Sequence, residues 1–291
     1  MRRYAYIHVD VFAERAFGGN PLTVFLDGSS IPPAEMQAIA RETNHSETTF
    51  LLPPSNGAAA KVRIFTPATE IPFAGHPVLG TAFAVAAERG FSAGTDFLLE
   101  LADAEVATSI EAGEGARFVW MQQRTPEGGK YFTDVDRLAR ALGIGRGDLD
   151  GTARVWSTGM PFLVVPLTGL TPMARIRPNP QLLHDLLPEV GARGIYAVTR
   201  ETLRLGAALR ARCFPIGVGV TEDAASGAAA GAVAGFVFEN AWAKPGRFEL
   251  EQGVEIGRPS AIVVECAGPG APARVGGRVV PMGRGELILG A

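Results

Sequence analysis

Short runs of alternating or continuous apolar residues, each closed by Gly, Pro, Asp or Ser, fill most of the chain. They predict strands at Tyr4 to Val11, Leu22 to Leu26, Lys61 to Thr66, Phe97 to Leu101, Arg117 to Gln122, Arg154 to Ser157, Phe162 to Leu167, Ala208 to Phe214, Arg247 to Glu251 and Ala261 to Cys266. Their shortness and the turn formers between them suit antiparallel sheets. Three stretches follow helical spacing instead. Met36, Ile39, Ala40 and Thr43 recur after Pro33, a residue favoured in a first turn. A second helix opens near Asp134, buries Val135, Leu138 and Leu142 and stops at Gly143; a third follows Asn179-Pro180 and uses Leu183, Leu186 and Leu187 before Pro188. All three read as amphipathic and peripheral.

Val78 to Ala87 and Ala228 to Phe238 differ, being almost wholly apolar with small residues on every side. A helix that is hydrophobic all round must be enclosed. A sheet wrapped around each helix meets that demand, which predicts an α+β chain of two pseudo-symmetric domains, each a β-barrel-like sheet around a central α-helix. The 291 residues suffice for two domains of ordinary size. The boundary falls near Gln123 to Gly129, where QRTPEGG breaks the strand pattern, giving domains 1–123 and 124–291. The last strand, Glu286 to Leu289, fits either half.

One motif appears in both halves. TEIPFAGHPVLGTA begins at Thr69 and TEDAASGAAAGAVA at Thr221, each placing Thr-Glu at the same distance ahead of the Gly that opens an apolar helix, Gly75 or Gly227. Arg63-Ile-Phe65 precedes the first copy and Arg212-Cys-Phe214 the second. A helix start exposes backbone N–H groups at the positive end of the macrodipole and so attracts anions. Two such starts facing each other make a cleft suited to a carboxylate. Glycines that merely let backbones pack closely are the competing explanation, and the repeat alone leaves both open. Glu70 and Glu222 are equally suited to pairing with Arg63 and Arg212 or to capping their loops.

Charge narrows the field of partners. The formal net charge is -3 with signs mixed throughout, and no run of Lys or Arg suits nucleic acid or an anionic membrane. Met1 to Phe12 alternates like a strand and lacks the apolar core of a secretory signal, and no run reaches the roughly 18 apolar residues of a membrane span. A soluble, cytoplasmic protein is expected. Cys213 and Cys266, the two cysteines, belong to no metal-ligand or redox spacing and read as core thiols.

Six motifs in order carry a resemblance. They are FGGNP (Phe17 to Pro21), NHSETTF (Asn44 to Phe50), FTPATEIPFAGHP (Phe65 to Pro77), STGMPFLVV (Ser157 to Val165), TEDAASGAAAG (Thr221 to Gly231) and QGVEIGRPS (Gln252 to Ser260). Together they resemble the PhzF-like family, named for the phenazine-biosynthesis isomerase, within the diaminopimelate epimerase fold superfamily. The resemblance spans essentially the whole chain and implies the same helix-in-barrel architecture. It assigns Glu47 the role of general acid/base, with His76 and Asp223 assisting, and brings in Asn20 from GGNP. Backbone amides at Gly75 and Gly227, with Ser226 and Ala228 beside them, would hold the carboxylate of a small-molecule substrate. Further implications are a homodimer, no organic cofactor and no metal. The family's named reaction, isomerisation of 2,3-dihydro-3-hydroxyanthranilate, takes a proton from one carbon of a ring diene and returns it at another. An enclosed carboxylate suits that work if its pKa rises toward the operating pH. His8, His45 and His184 lack comparable context and read as structural or exposed, while Asp223 is able to serve both as a helix N-terminal acid and as an orienting group.

Around the second helix the chain departs from the usual EDPATGSA. Ala224 stands for a proline, Ser226 for a threonine and Ala228 for a serine, so a hydroxyl expected near the substrate carboxylate is missing while its backbone N–H remains. The sister chemistry of the superfamily, racemisation or epimerisation of amino acids by paired thiols at the two helix starts, is disfavoured because Ala74, Gly75, Ala225 and Ser226 occupy those regions. A noncatalytic binding protein of the same fold is the remaining alternative, and retention of Glu47, His76 and Asp223 argues against it.

Overall fold

The computed structural model describes residues 1–111, 117–217 and 219–290. The chain forms two compact units, one of Met1–Gln122 with Gly276–Ala291 and one of Gln123–Val275.

The first unit contains β1 (Arg2–Val11), β2 (Asn20–Phe25), α1 (Pro33–Thr43), β3 (Glu47–Leu52), β4 (Ala60–Phe65), β5 (Glu70–Ile71), α2 (Gly75–Arg89), β6 (Asp96–Glu100), β7 (Glu105–Glu111) and β8 (Arg117–Gln122). Its sheet runs β1-β2-β3-β4-β6-β7-β8 and is completed by the chain's last strand, Ala273–Leu289, which pairs back onto β1 so that the sheet closes on itself. Closure removes exposed strand edges and leaves an interior for one helix. That helix is α2, buried from Gly75 through Ala86 and packed against β1, β2, β3, β4, β7 and β8. Its small residues set the approach distance: a Cβ on Gly80 would lie 2.5 Å from Leu22 Cδ2 and 2.8 Å from Val11 Cγ2. Outside the ring, Met36, Ile39 and Ala40 of α1 pack with Tyr4, Phe25, Phe50 and Phe65.

The second unit contains β9 (Glu127–Phe132), α3 (Val135–Leu142), β10 (Ala153–Ser157), β11 (Pro161–Pro166), α4 (Leu170–Arg175), α5 (Pro180–Val190), β12 (Gly194–Thr199), β13 (Leu209–Pro215), α6 (Gly227–Glu239), β14 (Gly246–Gln252) and β15 (Ser260–Cys266), after which the last strand is β16. Its strands run β9-β10-β11-β12-β13-β14-β15. Helix α6 is buried from Gly227 through Ala234 and packs against β9, β10, β11 and β15. Leu138, Leu142, Met173, Leu183, Leu186 and Leu187 from α3, α4 and α5 cover the outer face, packing on Leu163, Ile195 and Phe214.

The two units share a plan. β2 and β3 are parallel across α1, and β4 and β6 across α2; β11 and β12 are parallel across α4 and α5, and β13 and β14 across α6. The sheets are therefore mixed rather than antiparallel throughout, since a parallel pair needs a crossover long enough to hold a helix. Helix α5 runs through Pro188 to Val190, because a proline in the last turn forfeits only one N–H and Gly191, at φ 75°, closes the helix by donating to the carbonyls of Leu187 and Pro188. Among the described residues no helix is long and apolar enough to cross a membrane.

Candidate active site

In the first unit three of the expected residues converge. Asn20 opens β2, Glu47 opens the parallel neighbour β3 in register with Leu22, and His76 lies in the first turn of α2. Gly19, at φ 65°, turns the chain into β2 where a Cβ would stand 2.3 Å from the carbonyl oxygen of Val11. Thr48 and Thr49 tie β3 to both helices, their hydroxyls meeting those of Thr43 at 2.7 Å and Thr81 at 2.9 Å. The start of β3 is thereby fixed where Glu47 projects.

Hydrogen-bond direction then sets the state of His76. Asn20 Oδ1 accepts from Ser46 Oγ at 3.3 Å, which turns Nδ2 toward His76 Nδ1 at 3.0 Å. An amide nitrogen only donates, so Nδ1 accepts and the ring proton sits on Nε2. Nε2 lies 3.3 Å from Glu47 Oε2, in contact but without the alignment of a hydrogen bond. His76 is 2% exposed. Burial, aided by the nearby His45, pushes its pKa down to about 3, so the contact with Glu47 is made by a neutral imidazole.

Acid stability follows from this. A histidine whose folded pKa lies below its unfolded value leaves the unfolded chain binding the extra proton, so stability is complete above about pH 6.5 and falls as pH drops toward 3. The slope from this one group is up to about 1.4 kcal/mol per pH unit. Urea unfolding between pH 4.5 and 7 should show a shallower pH dependence in His76→Gln than in the wild type; equal slopes would contradict a neutral, buried His76. Glu47, Asn20 and His45 face the ring and are unchanged in that comparison.

The second unit carries the other expected residues. The N–H of Asp223 donates to the carbonyl of Cys213 in β13 at 2.9 Å, which anchors the loop leading to α6. Ser226 is the N-cap residue of α6, and its Oγ donates to Asp223 Oδ2 at 2.5 Å. Gly227 and Ala228 form the first turn, both buried. Gln123 Nε2 donates to the carbonyl of Gly227 at 3.0 Å and is itself oriented by Thr158 Oγ1 at 2.7 Å. Neither Ala74 before α2 nor Ser226 before α6 caps its helix with a side chain, so at both buried starts, Gly75 and Gly227, the N-cap residue takes no first-turn amide.

The repeated acids pair with the repeated arginines. Arg63 grips Glu70 through two contacts of 2.7 Å and lies over the Phe65 ring at 5.0 Å; Arg212 grips Glu222 at 2.8 and 2.7 Å and lies over Phe214 at 4.9 Å. Although Arg63 and Glu70 are seven residues apart and Arg212 and Glu222 ten, a stacked ion pair precedes each helix start.

A family model for phenazine biosynthesis-like proteins (PhzC-PhzF) matches residues 9–284. The chain belongs to the PhzF-like family. It is 36% identical to the trans-2,3-dihydro-3-hydroxyanthranilate isomerase of Pseudomonas fluorescens, over 98% of this chain and 99% of that protein. It is also 36% identical to an uncharacterized isomerase of Mesorhizobium japonicum, over 99% of this chain and all of that one. The crystal structure of the Bacillus anthracis phenazine biosynthesis protein of the PhzF family superposes with a TM-score of 0.90 at 26% identity, covering 99% of this chain and 100% of that chain. This PhzF-like protein is an isomerase.

Sequence reasoning missed three residues of the PhzF-like site. Ser46 orients Asn20. His45, set aside as structural or exposed, lies close enough to depress the pKa of His76 while its Nδ1 meets Thr23 Oγ1 at 3.2 Å and its ring packs on His8. Gln252 holds Ser226. Ser46 and His45 sit within NHSETTF and Gln252 heads QGVEIGRPS, so the signal was membership of a motif.

Proposed function

We propose that this PhzF-like isomerase moves a proton on a small unsaturated or cyclic carboxylic acid in specialised-metabolite biosynthesis, with Glu47 as the acid/base. The reading carries over from relatives named trans-2,3-dihydro-3-hydroxyanthranilate isomerase, and the observation that supports it is the Asn20–His76–Glu47 contact. A histidine with its pKa near 3 is a poor proton acceptor at neutral pH, which leaves Glu47 as the group of this cluster suited to carry the proton. Its carboxylate takes a proton from one ring carbon, breaking a C–H bond whose electrons enter the conjugated system, and gives a proton to a second carbon. Glu47 therefore ends in the state in which it began. Neutral His76 packs against that carboxylate, and the first-turn amides of α6 at Gly227 and Ala228 are suited to a carboxylate ligand, with the Ser226 hydroxyl held on Asp223 beside them. Gly75 offers the corresponding amide in the first unit. The reading takes the protein to act in the cytoplasm as a homodimer, without organic cofactor or metal.

The test is incubation with trans-2,3-dihydro-3-hydroxyanthranilate in D2O with EDTA present. Consumption of the compound with deuterium appearing at the newly protonated carbon is expected. An unchanged compound with no carbon-bound deuterium removes this substrate assignment.

A further inference from the structure

A serine at the N-cap ordinarily accepts a hydrogen bond from the second or third amide of its own helix. Ser226 does not. Its Oγ accepts from Gln252 Nε2 at 3.1 Å and donates to Asp223 Oδ2 at 2.5 Å. Since the amide nitrogen of Gln252 only donates, the hydroxyl hydrogen of Ser226 is committed to the Asp223 carboxylate.

Gln252 is itself held in one orientation. It is fully buried at the end of β14, and Oε1 accepts from Tyr196 Oη at 3.1 Å and from the Ser226 N–H at 3.3 Å. Nε2 also donates to the carbonyl of Asp223 at 2.8 Å. Burial pushes the Tyr196 phenol well above its ordinary pKa, so that it remains a donor. Turning the amide over would set its NH2 against a phenol and a backbone N–H and its oxygen against a backbone carbonyl, which the environment forbids.

We propose that Gln252 is a positioning residue that draws the Ser226 hydroxyl off the first-turn amides of α6 and onto Asp223, keeping those amides for a carboxylate ligand. The identity of that ligand rests on the function proposed above, whereas the rotamer of Ser226 does not. A purely structural Gln252 would pin β14 to the loop before α6 and would leave Ser226 where it is when the amide is removed. A positioning Gln252 makes Ser226 a competitor of the ligand once it is gone.

Gln252→Met, which keeps the volume and removes the amide, discriminates. In its crystal structure Ser226 Oγ should lie within about 3.2 Å of the amide nitrogen of Ala228 or Ala229. Benzoate, a plain carboxylate probe, should bind about five- to tenfold more weakly by calorimetry than to the wild type. Adding Ser226→Ala to Gln252→Met removes the competing hydroxyl and should bring affinity back up, a rescue that simple loss of packing does not give. Ser226 still on Asp223 in Gln252→Met, or a double variant that binds no better than the single one, overturns the proposal. If Gln252→Met does not fold, Tyr196→Phe loosens the same amide with the ring retained. It should weaken benzoate about two- to threefold, again rescued by Ser226→Ala, and unchanged affinity overturns the proposal. A wild type that leaves the dihydro compound untouched refutes the proposed function alone, because neither the rotamer nor benzoate binding requires turnover.

Discussion

Glu47→Gln is expected to lower turnover by about 10²- to 10⁴-fold while leaving the protein folded, the range by which a positioned acid/base usually contributes. The substitution keeps shape and one oxygen, so the side chain still packs against His76 Nε2, 3.3 Å from Oε2 in the wild type. It removes only the capacity to take up and release a proton. The backbone of β3 is held by its pairing with β2 and by Thr48 and Thr49, whose hydroxyls are satisfied by Thr43 and Thr81, and none of these involves the Glu47 carboxyl. Thermal unfolding should therefore change little, and the Michaelis constant should move much less than turnover, because a group acting in the proton-transfer step contributes mainly to the transition state. His76→Gln should give a smaller loss, since a neutral ring steadies Glu47 without replacing it. Steady-state kinetics on trans-2,3-dihydro-3-hydroxyanthranilate check both. If Glu47→Gln retained turnover within about twofold of the wild type, the carboxyl would be an ordinary polar group at a strand start and the proton would have to travel elsewhere.

What the sequence discloses about this arrangement depends on the kind of interaction involved. The two enclosed helices were legible because their apolar residues surround the axis, and no exposed helix tolerates that. The strand Glu47–Leu52 was legible only in outline, since NHSETTF places Glu47 between small polar residues and a strand, while in the structure the strand already begins at Glu47 and Thr48 and Thr49 are fully buried, their hydroxyls paired side chain to side chain. Satisfaction of that kind is invisible to hydropathy. β9 was read as a break because of Gly128 and Gly129, yet it pairs with β10, and mostly exposed residues suffice for a strand with one neighbour.

β16 shows the same limit at greater length. Only Glu286 to Leu289 looked like a strand, because Gly276, Gly277, Pro281, Gly283 and Gly285 read as breakers. Gly276, Gly285 and Pro281 are accommodated by something distant in sequence. The ring of Trp120 covers Gly276, with Cε3 2.5 Å from where a Cβ would stand, and Tyr6 covers Gly285 with its hydroxyl at 2.7 Å. Pro281 falls beside a register shift, since His8 pairs with Gly283 and Val9 with Pro281, leaving Met282 as the extra residue. The candidate site divides similarly. Glu47, His76 and Asn20 were found through motifs and do meet, whereas Ser46 acts on Asn20 through a hydrogen bond, His45 on His76 through charge and Gln252 on Ser226 through a hydrogen bond, and each acquires a role only once its partner is placed.

The repeat itself yields a second large effect, because its two ion pairs are alike in sequence and unlike in burial. Arg212→Leu should destabilise the protein by about 3–5 kcal/mol, and Arg63→Leu by less than about 1 kcal/mol. The side chains of Arg212 and Glu222 are 5% and 10% exposed, against 23% and 41% for Arg63 and Glu70. Removing Arg212 leaves the Glu222 carboxylate desolvated without its partner and also strips a donor from the carbonyls of Met173 and Ile176, which accept from Arg212 at 2.8 and 3.2 Å. Removing Arg63 leaves Glu70 with water to replace the lost contact. Adding Glu222→Leu to Arg212→Leu should recover part of the loss by deleting the stranded charge, but not all of it, since the two carbonyls stay unserved. Urea unfolding of the three variants and the wild type measures this directly. Equal costs for the two arginines would mean that burial does not govern the pairs, and full recovery in the double variant would mean that the carbonyl contacts contribute nothing.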